Sequence, residues 1–324
     1  MPLTRLYQRL RAAGQAGTTV LSSQIHRSEV PATTATWPLD AGLAARMHVR
    51  WPVAYEWAPA GKWVDGLRAA IEQRVPVSTT ELEQPYEGAV LIEVDLDGVS
   101  HSVAIDYFDG DRLLDEVVAG SAIVFKMQYR AEGYDNPRVV PGGYVPARPY
   151  LARYLPALRH VRDHSAPRFD VYGRFSLSYA PEYRRRAVEA LQAQQRFRYE
   201  GSLKLLPYAA YLRETARSRV CIDLPGNGDL CHRLIDYLAV GCCVVRPEPL
   251  TRLPVALTDG LNIRYVQRDL SDLVDACAEL IADPQRTTRI GLAAREYYDR
   301  YLEAGQLAGY YLDRCAALLG MVHP

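Results

Sequence analysis

Apolar and polar positions along this chain repeat with two different periods, and the period switches often. From residue 47, MHVRWPV alternates every second position and reads as a strand, while KWVDGLRAAIEQRV carries its apolar residues at helical spacing. GAVLIEVDLDGVSHSVAIDYF reads as a hairpin, because two Val/Ile-rich arms flank Asp97-Gly98, a pair suited to a type I′ turn. DRLLDEVVAGS then reads as a helix and AIVFKMQY as a strand. The alternation of strand and helix predicts an α/β domain, and the hairpin argues against a purely parallel sheet. Residues 1–45 read as an amphipathic start, LTRLYQRLRAAG, followed by a polar, Thr-rich connection.

Between residues 131 and 168 the pattern is lost. AEGYDNPRVVPGGYVPARPY is rich in proline and glycine and is expected to form no regular element, only a linker, before the helical stretch LARYLPALRHVRDH. The second half is more regular. RFDVYGRF, RFRYEGSL, RVCIDLPG, CCVVRPE and LNIRYVQ read as strands, separated by PEYRRRAVEALQAQ, LPYAAYLRETARS and LCHRLIDYLAVG as helices. Pro181 suits a first helical turn and Gly241 a helix stop. DLSDLVDACAELIAD reads as a helix capped by Asp269 or Ser271, and one or two long helices run from Pro284 to Leu319. Right-handed crossovers would turn this succession into a parallel, Rossmann-like sheet covered on both faces. The expected division is an N-terminal domain over 1–150, a second over 151–300, and a final helix over 301–324 that crosses back to the first.

Composition adds exclusions. The chain has 324 residues, is 48% apolar and 23% charged, and has zero formal net charge. That balance disfavours a nucleic-acid partner. No apolar run suits a membrane helix or a secretory leader, so a cytoplasmic protein without an integral membrane segment is expected. The six cysteines all lie in the second half, form no C-x-x-C pair and read as buried free thiols rather than metal ligands. Of 38 basic residues only Lys62, Lys126 and Lys204 are lysines.

In a Rossmann-like sheet, ligands sit beyond the carboxyl ends of the strands. The loop Leu224-Pro225-Gly226-Asn227-Gly228-Asp229 leaves an apolar strand and opens a helix there. Gly226 and Gly228 let backbone approach a bound group, and free N–H groups at the helix start suit a diphosphate. Arg233, one turn in, can fork onto phosphate oxygens, and Asp236 suits a sugar diol. A plain turn with a surface Arg–Asp pair is the competing reading of this loop alone.

The stretch from Phe169 to Val245 resembles the donor half of GT-B glycosyltransferases. Gly173-Arg174 ends a strand as in that family, Tyr199-Glu200-Gly201-Ser202-Leu203-Lys204 through Pro225-Gly226 follows its order, and Arg233 through Val245 matches its helix-and-strand signature. The Gly-Asn-Gly before an arginine is most similar to the capsule-associated and protein O-glucosyltransferase-like group. Only the second acidic position of the commoner E-x7-E pattern is kept, as Asp236; the first falls at Gly228. The resemblance implies two Rossmann-like domains facing each other across a cleft. It implies transfer of a sugar from a nucleoside diphosphate, UDP favoured, to a hydroxyl acceptor (saccharide, natural product or protein), without cofactor or metal and with inversion preferred. Gly173, Arg174, Lys204, Gly226, Asn227, Gly228, Arg233 and Asp236 would bind the donor. Asp106, Asp109 and Lys126, at the ends of two apolar strands, are the candidate catalytic groups of the first domain, with His101 or His26 as other bases. The pairs Asp95-x-Asp97 and Asp109-x-Asp111 leave a metal-dependent enzyme as an alternative. An epimerase, a phosphorylase or a non-catalytic nucleotide-sugar-binding protein on the same scaffold are the others. The tyrosines of the last helices are expected to serve packing.

Overall fold

The computed structural model describes residues 2–27, 34–146, 148 and 150–320. The chain runs α1 (Pro2–Ile25), α2 (Ala41–Arg46), β1 (Met47–Pro52), α3 (Gly61–Ile71), β2 (Val77–Thr80), β3 (Ala89–Leu96), β4 (Val99–Asp106), α4 (Asp115–Gly120), β5 (Ile123–Lys126) and β6 (Val139–Pro141). It continues with α5 (Leu151–His164), β7 (Phe169–Arg174), α6 (Pro181–Ala193), β8 (Tyr199–Ser202), α7 (Tyr208–Ala216), β9 (Ser218–Ile222), α8 (His232–Val240), β10 (Cys243–Pro247), β11 (Arg264–Val266), α9 (Leu273–Ala282), α10 (Pro284–Tyr297) and α11 (Ala304–Leu319).

Two sheets result. The first has the order β2-β1-β3-β4-β5-β6 and is parallel except for β3, which runs antiparallel to both neighbours. The second has the order β11-β10-β9-β7-β8 and is parallel throughout. The molecule is therefore α/β, with two Rossmann-like units facing each other across a cleft, the GT-B arrangement. β5 and β10 are buried at every position, as strands covered on both faces must be, and their near-continuous apolar runs reflect this. In the β3–β4 hairpin, Asp97 and Gly98 take φ of 56° and 80°, the left-handed pair that a type I′ turn requires. Gly241 ends α8 at φ 90°, its N–H reaching the carbonyls of Tyr237 and Leu238.

The chain departs from sequence expectation in several places. β6 lies within the proline- and glycine-rich stretch that was expected to be irregular; three residues pair with β5 at the sheet edge, where only one side of the backbone needs partners. β2 carries too short an alternation to be foreseen. α4 is shorter than its apolar pattern, and Asp272, not Asp269 or Ser271, precedes α9. Asp269 instead accepts the Ser271 N–H in the turn before it. α1 packs on α5 and α7 of the distal sheet, and α11 lies against α3 and β3 of the first. There Tyr311 stacks on Phe125 with ring centroids 3.8 Å apart. The amphipathic pattern expected near the start falls on side chains outside the described residues, as does part of the Thr-rich connection. One apolar core runs through the facing sides of both units, and separate cores cover the outer faces of the second and first sheets.

Candidate functional site

A cavity of about 570 Å³ opens between the two units. Its first wall is built from segments that follow or connect strands of the first sheet: Glu56, Trp57, Lys62 and Trp63 after β1, Glu87 and Gly88 before β3, Tyr107, Phe108 and Asp109 after β4, and Tyr144 after β6. Its second wall is Ser176, Tyr179 and Arg184 after β7, Leu205 after β8, and Gly226 with Leu230, Cys231, His232 and Arg233 after β9. The second wall lies wholly beyond carboxyl strand ends, where α/β sheets bind ligands.

The distal wall is cationic. Arg233 is largely buried, with Nη1 3.3 Å from Asp223 and 3.3 Å from the Leu224 carbonyl and its guanidinium over the Phe175 ring at 4.7 Å. Burial works against its charge, but Asp223 outweighs that and holds its pKa above the ordinary value. Arg184 faces the same space. Its Nε donates to the Pro225 carbonyl at 2.9 Å and its Nη1 to the Ser176 carbonyl at 2.8 Å. It is only 3% exposed and forms no ion pair among the described residues. Burial, then repulsion from Arg233, pulls its pKa below the usual arginine value. Two desolvated guanidiniums with one partly shared carboxylate, beside the N-terminus of α8, leave this wall with positive charge of a kind that an anion with several oxygens would match.

The loop between β9 and α8 is held rigidly. Asp229 accepts from Arg246, Thr251, the Leu250 N–H and Arg268, at 3.0 to 3.1 Å. Asp223 and Arg246 are buried beneath it. On the other side the loop docks on the first unit. Gln128 donates to the Leu230 carbonyl at 3.0 Å and accepts the Leu230 N–H at 3.0 Å, while its amide also donates to Asp109 at 3.1 Å. Gly228 fits only because it lacks a side chain: a Cβ there would lie 2.2 Å from Asp109 Oδ1 and 2.2 Å from Gln128 Nε2. Gly228→Ala is expected to cost about 1–3 kcal/mol by overpacking, because Gln128 cannot move without breaking its Leu230 pair. Thermal unfolding of the variant measures this.

The proximal wall is aromatic and acidic. Trp63 and Tyr107 stack at 5.2 Å, Trp57 and Tyr107 at 6.2 Å, and Lys62 lies over Trp63 at 3.7 Å. Asp109 is exposed to the cavity, and partial desolvation holds its pKa above the usual carboxylate range despite the Gly228 N–H and Gln128. His232, first residue of α8, shares its Nδ1 proton with the Val145 carbonyl at 3.0 Å and lies between Trp63 and Tyr144.

Of the residues expected from sequence, Asp109, Gly226 and Arg233 line this cavity, and Gly228 docks its rim. The others are placed differently. Asp106 and Lys126 face each other below the Phe108 floor, Nζ to Oδ1 2.9 Å, with side-chain exposures of 1% and 0%. Burial raises the pKa of Asp106 and lowers that of Lys126, each partly offset by the other. Arg174 is neutralised by Glu214 at 2.8 Å and Glu200 at 2.6 Å and does not line the cavity. Asp236 is buried, accepts from Tyr208 at 2.7 Å, and is pushed up to about 7 by that burial. Lys204 and Asn227 are exposed outside the lining. Gly173 serves packing, since a Cβ there would meet the Phe175 ring at 2.8 Å, the ring that carries Arg233. The D-x-D carboxylates other than Asp109 are engaged elsewhere: Asp97 with Arg46, Asp95 with Arg50 and His48, and Asp111 with Arg130. No group of three or more metal-ligating side chains occurs among the described residues. His26 and His101 are not in the cavity lining.

Arg184 was missed by sequence reasoning. The signal was available: with Ala187, Val188 and Leu191 it occupies the buried stripe of α6, an unusual place for an arginine.

Residues 152–312 match the family model described as glycosyl transferase-like. The match spans the distal unit, including both arginines and the α8 loop. No curated protein matches the chain. Among the described residues no helix is long and apolar enough to cross a membrane.

Proposed function

Taking the glycosyl transferase-like character of residues 152–312 as premise, we propose that this protein transfers a sugar from a nucleoside diphosphate to a hydroxyl acceptor in the cavity between its two units. The observation that carries the reading is the convergence of Arg184, Arg233 and the α8 N-terminus on one cavity. Departure of a nucleoside diphosphate builds negative charge, and fixed cations with backbone N–H groups stabilise that charge without reorganising. The same function needs no metal. The nucleotide phosphates occupy the arginine end; the acceptor enters along Trp57 and Tyr107, where flat apolar faces suit a sugar ring. UDP is the favoured nucleotide, on the likeness of the Gly-Asn-Gly loop to the protein O-glucosyltransferase-like group.

Asp109 is the base in this scheme. It is the carboxylate placed both at the cavity surface and beside the loop that bears the arginines. An inverting transfer requires it deprotonated when it takes the acceptor proton. Since its pKa is raised, activity should fall on acidification at a higher pH than an ordinary carboxylate of pKa about 3.9 would give. Asp109→Asn should remove that acidic limb and lower kcat by roughly 100-fold or more. A pH profile of kcat/KM for parent and variant checks both.

Incubation with UDP-, GDP- and dTDP-hexoses, with and without saccharide acceptors, tests the reaction itself. Glycoside formation dependent on acceptor supports transfer. Isomerised nucleotide sugar without acceptor, or sugar phosphate formed from glycan and phosphate, would move the assignment to an epimerase or a phosphorylase. Failure of every nucleoside diphosphate to raise the melting temperature removes the reading.

A further inference from the structure

Three lysines stand in a chain that otherwise uses arginine, and the fold treats each differently. Lys126 is sealed below the cavity floor against Asp106 at 2.9 Å. Lys204 is exposed outside the lining. Lys62 lies on the lining itself, and among the described residues it is the one lysine or arginine that the first unit places there.

Lys62 is the second residue of α3, a helix anchored by the buried side chains of Trp63, Val64 and Leu67. Its stem therefore has a fixed root, while the side chain is exposed to the cavity. Unlike Lys126, it forms no ion pair among the described residues. Its ammonium rests instead on aromatic faces, 3.7 Å from the ring centroid of Trp63 and 5.2 Å from that of Trp57. Burial against these rings lowers its pKa, and Asp109 only partly offsets that. Its charge acts in turn on Asp109 and on His232, the residue before Arg233. An exposed ammonium gains little from an aromatic face compared with a charge-assisted hydrogen bond to a phosphate oxygen. The perch on the tryptophans is thus a resting place that an anion in the cavity can outbid.

We propose that Lys62 crosses to the phosphates of a nucleoside diphosphate held by Arg184 and Arg233, so that cations of both units grip one anion and the bound nucleotide ties the units together. This rests on the function proposed above. Arg233 is already shared with Asp223, so the two guanidiniums leave part of a diphosphate's charge uncompensated, and more of it as the sugar departs. An ammonium acts as a point charge and meets that charge without the fixed fork geometry a guanidinium needs.

Calorimetric titration of the full chain with UDP, GDP and dTDP tests this. Lys62→Met should bind the nucleotide that the parent binds about tenfold more weakly. Lys62→Arg, which keeps the charge, should recover most of that loss. The melting temperature of free Lys62→Met should match the parent, because the side chain removed is exposed and has no ion pair among the described residues. If Lys62→Met binds the nucleotide as the parent does, or if Lys62→Arg loses as much as Lys62→Met, the proposal falls while the transferase reading stands. If the parent binds none of the three nucleotides, both fall together. Should Lys62→Met fail to fold, Lys62→Gln carries the same comparison.

Discussion

Arg184→Met should weaken nucleoside diphosphate binding by roughly 10- to 100-fold and leave the melting temperature of the free protein nearly unchanged. The first part follows from the loss of charge-assisted hydrogen bonds, each worth about 1.5–3 kcal/mol. The second follows from what surrounds the guanidinium. It is buried beside Arg233, with no ion pair among the described residues and with its pKa lowered by that burial. Removing a desolvated charge that repels its neighbour relieves the free protein, and this relief offsets the lost bonds to the Pro225 and Ser176 carbonyls. Arg233→Met should behave differently. Its removal strips Asp223 of one of its two close cations, the other being Arg246 at 3.9 Å, and leaves a buried carboxylate under-compensated. Affinity and melting temperature should therefore fall together. Thermal unfolding of both variants, with and without nucleotide, distinguishes a residue poised for a ligand from one that also supports the fold. Equal loss of stability in the two would remove the argument that Arg184 is held in reserve for an anion.

Lys126→Met is expected to destabilise the protein by about 3–5 kcal/mol, through the same physics in reverse. The Lys126–Asp106 pair is sealed under the cavity floor, and Asp106 already has one oxygen without a partner. Without the ammonium the carboxylate must protonate or remain buried as a lone charge. A double variant, Asp106→Leu with Lys126→Met, replaces the pair by apolar volume and should recover most of the loss. The melting temperature is the readout, with a fall of roughly 10 °C for the single change. A Lys126→Met protein of parental stability but no activity would instead return this lysine to the chemistry.

The contrast between these two positions shows where sequence reading stops. Arg174, Arg184 and Arg233 each belong to the distal unit, and local sequence favours Arg174, which ends a strand at Gly173-Arg174. Glu200 and Glu214 lie 26 and 40 residues further on, and only folding brings them to Arg174 and cancels it. Asp106 and Asp109 stand three residues apart at the end of one strand; the first turns under the floor against Lys126, and the second faces the cavity. Gly226 and Gly228 look alike in a glycine-containing loop. One borders the cavity and the other is a docking point against Gln128 of the first unit.

The sequence by itself determined most of the order of elements, the two α/β units and the loop that opens α8. Those depend on hydrophobic period, turn residues and caps, all of which act over a few positions. It could not specify β6, which exists because β5 offers an edge, nor which cations remain uncompensated. Burial and charge pairing are properties of residues brought together from far along the chain, and an ionisable side chain acquires its chemical role only from the partners the fold supplies or withholds.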